Sequence, residues 1–63
     1  MARDTLPRIR AAALELFSHY QYDTVSVAQI CREAGVSNGA FYRYYSDKQT
    51  IFEDLLEEFL ESF

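Results

Sequence analysis

The chain has 63 residues, 49% of them apolar and ten of them Phe or Tyr. That suffices for one small core and is too apolar for a disordered tail, although so short a chain buries only about 60% of the surface its unfolded form exposes. The single cysteine, Cys31, cannot close an internal disulfide, and neither a long apolar run nor a basic-then-apolar N-terminus supports a membrane or export reading, so a soluble, cytoplasmic protein is expected.

Net charge is −4, unevenly spread: through Lys48 six basic residues stand against five acidic ones, while Glu53, Asp54, Glu57, Glu58 and Glu61 crowd the C-terminal segment. A near-neutral N-terminal part permits contact with nucleic acid without arguing for it.

No strand-like alternation persists, and the apolar residues repeat at helical spacing throughout. Leu6, Ile9, Ala12, Ala13, Leu16, Phe17 and Tyr20 mark the buried face of a first helix of roughly four turns, with Pro7 in its first turn, where a missing N–H costs little. This helix is expected to end near Tyr20, before a connection through Gln21, Tyr22, Asp23 and Thr24. Ser26-Val-Ala-Gln29 is a capping-box pattern that opens a second helix with Val27, Ile30, Cys31 and Ala34 inward, and Gly35 supplies the left-handed residue that ends it. Ser37 caps a third helix from Asn38 to about Tyr44 or Tyr45. Ser46 and Asp47 offer the cap of a fourth, in which Ile51, Phe52, Leu55, Leu56, Phe59, Leu60 and Phe63 form one stripe with acids opposite.

Two short helices joined by Gly35-Val36-Ser37 satisfy the helix-turn-helix requirement: the glycine permits the sharp turn, the valine plugs the angle and the serine caps the recognition helix. Helix, glycine, helix is by itself a weak signal. The longer run Ala12-Ala13-x-x-Leu16-Phe17, Ser26-Val27-x-x-Ile30, Ala34-Gly35-Val36-Ser37-x-Gly39-x-Phe41-Tyr42-x-Tyr44-Tyr45 and Lys48 resembles the N-terminal domain of TetR-family repressors. The resemblance implies an all-α fold, a three-helix homeodomain-like head over residues 1–47, with residues 48–63 as the fourth helix leading to an absent ligand-binding and dimerisation domain. It further implies a homodimeric repressor on a palindromic double-stranded operator, released by a small-molecule inducer.

At 100° per residue, Phe41 and Tyr45 point inward and Gly39, Ala40 and Arg43 outward, with Tyr42 and Tyr44 on the flanks, where phenolic hydroxyls can reach phosphates. By resemblance, Ser26, Val27, Tyr42, Tyr44 and Lys48 occupy phosphate-contacting positions, and Ala28, Asn38, Gly39, Ala40 and Arg43 occupy base-contacting ones, with a recognition helix of about residues 38–45 in the major groove. Asn38 suits adenine and Arg43 guanine. Lys48 opposes the positive end of its own helix dipole, a placement that a phosphate would compensate.

Two positions depart from the family pattern. Gln21 stands where glycine is usual, so a left-handed cap there is either strained or replaced by another geometry, and Ala28 removes a base contact that some members make with arginine. Arg3, Arg8 and Arg10 read equally as a minor-groove arm or as solvent-facing charges, and Cys31 and His19 as structural. No nucleophile set, phosphate loop, metal cluster or cofactor motif points to an enzyme. The alternative function is a small acidic helical protein-interaction module using Phe59, Leu60 and Phe63. On the repressor reading those three side chains are exposed here, in a truncated chain that dimerises poorly.

Overall fold

The computed structural model describes residues 4–61. Its elements are α1 (Thr5–His19), a 3-10 turn (Tyr22–Thr24), α2 (Val27–Ala34), α3 (Asn38–Tyr42) and α4 (Lys48–Glu61), so the expected all-helical architecture is found. Arg3 and Phe63, named above as an arm residue and a stripe residue, lie outside the described residues.

Local chemistry sets most of the helix ends. Ser26 Oγ accepts from the Gln29 amide at 3.1 Å and the Gln29 side chain accepts from the Ser26 amide at 2.8 Å, closing the capping box of α2. At its other end Gly35 is left-handed (φ 74°, ψ 34°). The Val36 amide reaches the Cys31 carbonyl at 3.0 Å and the Gly35 amide the Arg32 carbonyl at 3.2 Å, the paired bonds of a Schellman ending. Ser37 Oγ then accepts from Ala40 to cap α3, and Asp47 Oδ1 accepts from both the amide and the hydroxyl of Thr50 to cap α4.

Ile9, Ala12, Ala13 and Leu16 of α1 meet Ile30, Cys31 and Ala34 of α2, together with Val25, Phe41, Tyr45 and Ile51, in one buried cluster. Small residues at positions 12, 13 and 34 let the helices approach, while Phe41, Ile9, Ile30 and Ile51 fill the centre. A satellite of three rings, Phe17, Tyr22 and Phe52, with centroids 4.8–5.7 Å apart, ties α1 and the 3-10 turn to α4. Beyond it Leu56, Phe59 and Leu60 are exposed, as expected for the last two, beside an apolar groove that α4 forms with Leu14 and Phe17 of α1.

The exit from α1 differs from the expectation. Tyr20 is 60% exposed and extended rather than part of the buried stripe, because the chain has already left the helix at His19. Gln21 is extended too (φ −68°, ψ 147°), and among the described residues only Gly35 has positive φ. The strained left-handed cap is thus replaced by a β-region exit that any residue adopts. Gln21→Gly is therefore expected to destabilise the fold, by about 0.5–1 kcal/mol, by loosening the unfolded chain without relieving strain. A thermal melt that rises on this substitution would contradict the extended exit.

The third helix is also shorter than the expected 38–45. Regular α-helix stops at Tyr42, and the amides of Tyr44 and Tyr45 share the Phe41 carbonyl at 3.0 Å each, tightening the last turn. Asp47 stands outside the helix to cap α4, and a turn and a bend fill the stretch between the two helices.

Candidate nucleic-acid interface

The turn at residues 35–37 swings α3 out from α2, and Phe41, with no exposed surface, is the plug that holds it down. Everything else on α3 follows from that anchor. Gly39 and Arg43 stand opposite Phe41 around the helix, and both are exposed. Ala40 lies on a flank and is half-buried, so it is less outward than its expected place beside Gly39 and Arg43. Asn38 is exposed in the first turn.

Tyr42 is 54% exposed, yet its ring meets Phe41 edge-on with centroids 5.3 Å apart, so the body braces the core and the hydroxyl is left to solvent. Tyr44 is exposed on the tightened turn that follows. On α2, Ser26 and Ala28 are exposed and Val27 half-buried against the core. The Ser26 hydroxyl is already used by its cap, so what this residue presents outward is mainly the free N-terminal turn behind it.

Among the described residues, no side-chain hydrogen bond or ion pair engages Asn38, Tyr42, Arg43 or Tyr44. Four polar side chains in seven residues of α3 and the turn after it thus have no polar partner among the described residues, whereas Arg10 of α1 pairs with Asp54 and Glu58 of α4. Gly39 adds to this outward surface. A Cβ placed there would meet nothing nearer than Ser37 Oγ at 3.8 Å, so the fold does not require glycine at this point. A helical glycine is unfavourable by roughly 0.5–1 kcal/mol relative to alanine, and the bare backbone it leaves suits close approach by a partner.

Lys48 is placed differently from the other candidates. Its ammonium donates to the Tyr22 carbonyl at 2.8 Å and sits 4.1 Å from the centre of the Tyr22 ring. The unfavourable position at the head of α4 is therefore already compensated inside the protein, by a carbonyl and an aromatic face. One of its three donors is committed and two remain.

Of the arginines of α1, Arg8 is exposed, as the solvent-facing reading expects, whereas Arg10 takes neither of the roles left open for it. Arg10 is ion-paired to Asp54 and Glu58 of α4 and donates to the Tyr45 hydroxyl. The guanidinium of Arg8 lies over the end of α2, with Nη2 2.9 Å from where a Cβ on Gly35 would stand. Periodicity could not reveal the Arg10 network, since Arg10 and Tyr45 are 35 positions apart. The one signal available was a tyrosine, rather than phenylalanine, at an inward position. Cys31 is buried and burial pushes its thiol up, in keeping with a core residue. His19 faces Glu15 at 3.0 Å on the surface of α1. Among the described residues no cluster of His, Cys, Asp or Glu could hold a metal, and no helix is long and apolar enough to cross a membrane.

Residues 9–55 match the model of a family described as bacterial regulatory proteins, tetR family. The chain is 41% identical over 56 residues to the HTH-type transcriptional regulator HbdR of Aromatoleum sp. (strain CIB), covering 89% of this chain and 24% of that protein. It is 36% identical over 56 residues to the HTH-type transcriptional regulator AcrR of Shigella flexneri, covering 89% and 26%. To the putative mycofactocin biosynthesis transcriptional regulator MftR of Mycobacterium tuberculosis it is 40% identical over 50 residues, covering 78% and 25%. The chain thus spans about a quarter of the length of these relatives. No solved structure gives a significant match.

Proposed function

The chain belongs to the tetR family of bacterial regulatory proteins, and from that footing we propose that it binds double-stranded DNA in a sequence-dependent way as the DNA-reading head of a homodimeric, ligand-responsive repressor. The observation that carries the reading is the row of polar side chains without a polar partner, Asn38, Tyr42, Arg43 and Tyr44, on α3 and the tightened turn that follows it, which residues 35–37 present to solvent. In the proposal Asn38 and Arg43 read base edges in the major groove, with Gly39, Ala40 and Ala28 allowing close approach. Tyr42, Tyr44, Lys48 and the start of α2 at Ser26 and Val27 hold phosphates. Residues up to 47 then form the reading unit, and α4 connects it to the part that senses a small molecule and pairs two copies on half-sites about 34 Å apart. The named relatives are transcriptional regulators, which accords with a non-enzymatic role.

Selection from a random duplex library by this chain, followed by fluorescence anisotropy at several salt concentrations, tests the reading. Enrichment of a common half-site is expected; a chain that retains no duplex even at low salt would refute it. Lys48→Ala is expected to weaken all duplexes alike and to reduce the salt slope by roughly one unit, as for one lost cation that displaces condensed counterions. Because the same ammonium holds Tyr22, this variant should also melt lower, by about 1 kcal/mol. Tyr42→Phe removes only a hydroxyl, and a loss of about 1 kcal/mol shared by selected and scrambled duplexes is expected.

A further inference from the structure

We propose that Arg10, Tyr45 and Asp54 form a positioning device that fixes the direction in which residues 42–44 face DNA; the proposal rests on the DNA-binding reading above. α3 has only five residues, of which Phe41 alone is fully buried. One anchor sets where such a short element sits but leaves its roll about that anchor open. Tyr45 is the second anchor. Its ring is 7% exposed and packs on Phe41 with centroids 5.7 Å apart, and its amide bonds the Phe41 carbonyl at 3.0 Å. The stretch Tyr42-Arg43-Tyr44 is therefore bracketed by two inward residues joined through one turn.

The ring alone would complete the core, so the hydroxyl has a separate role. It accepts from Arg10 Nη1 at 2.9 Å and donates to Asp54 Oδ2 at 2.7 Å, and Arg10 itself pairs with Asp54 and with Glu58. Three elements, α1, α4 and the end of the recognition segment, converge on one oxygen whose two bonds are directional. The Tyr45 hydroxyl, and then Arg10, hold the Asp54 carboxyl below its ordinary range, so it is an acceptor at neutral pH. Asp54 and Glu58 are substantially exposed, and ion pairs of that kind add little to stability because water screens them. What the network supplies is orientation: hydrogen bonds act within a narrow angular range, and a rotated segment would miss them.

The test uses the 63-residue chain, wild type and Tyr45→Phe, titrated against duplexes that the wild type has selected from a random library. Measurements are made at a low temperature where circular dichroism shows both proteins fully helical. Tyr45→Phe is expected to bind the selected duplex roughly 5- to 20-fold more weakly, the scale of about one lost hydrogen bond. The salt slope should be unchanged, since no cation facing DNA is removed. Arg10→Met should show the same loss, and the double variant no more than either single one, because all three break one device. If Tyr45→Phe does not reach full helicity, Asp54→Leu removes the acceptor from the exposed side with the same expected loss. Full affinity for the folded variant, with only a lower melting temperature, would overturn the positioning role and leave the DNA reading intact. Failure of the wild type to select any duplex would overturn both.

Discussion

Phe41→Ala is expected to unfold most of the protein at physiological temperature. At roughly 0.05–0.15 kcal/mol per residue, a chain of this length has a stability of about 3–9 kcal/mol. Truncating a fully buried phenylalanine removes about 3–5 kcal/mol, through lost transfer energy and an incompletely filled cavity. Phe41 is the worst place for that loss: it is the largest fully buried side chain, packs against Tyr42 and Tyr45, and is the only buried residue of α3. If a transition survives, its midpoint should fall by about 15 °C or more. Leu60→Ala is the matched comparison, an apolar truncation at an exposed position of α4, and should stay within about 0.5 kcal/mol of wild type. Chemical denaturation read by circular dichroism distinguishes the two, and a Phe41→Ala curve close to that of Leu60→Ala would show that α3 is not held by its plug.

That contrast marks what could be read from the residues in order. Ser26 with Gln29, Gly35, and Ser37 act within one turn of themselves, so their patterns specify the ends of α2 and the start of α3 with little help from the rest of the molecule. Helical periodicity also identified Ile9, Ala12, Ala13, Leu16, Ile30, Phe41 and Tyr45 as inward, and the outward places of Gly39 and Arg43 follow from Phe41 alone. Where the reading went astray, the deciding contact was distant or competed with a neighbour. Tyr20 continues the stripe of α1 in sequence, yet the chain has already turned extended there to reach the 3-10 turn. The length of α3 is limited by the cap that Asp47 provides to the next helix. Lys48 meets Tyr22 from 26 positions away and Arg10 meets Asp54 from 44, and no local pattern encodes either pair. The fold was therefore legible through its short-range chemistry. The DNA reading drew on resemblance as well, since exposed Asn, Arg and Tyr on a short helix do not by themselves specify a partner.

The remaining large effect is expected from the two side chains proposed to read bases, and it must be separated from simple loss of charge. Asn38→Ala leaves the Ser37 cap of α3 in place, because that cap uses the Ser37 hydroxyl and the Ala40 amide. Its expected effect is thus on binding: about 1–3 kcal/mol on the selected half-site and much less on a scrambled duplex, since a bidentate amide bond forms only where adenine offers the matching edge. Arg43→Ala would remove a cation together with any base contact, which weakens every duplex and blurs the comparison. Arg43→Lys is the cleaner variant. It keeps the charge on an exposed position but loses the planar fork that grips guanine through two bonds, so the selected duplex should lose about 1–3 kcal/mol while the scrambled one and the salt slope barely change. Anisotropy titrations of both variants on both duplexes decide the matter. Equal losses on selected and scrambled DNA would remove Asn38 and Arg43 from base readout, and selectivity would then have to arise from how readily the duplex takes the shape that Tyr42, Tyr44 and the bare backbone at Gly39 accommodate.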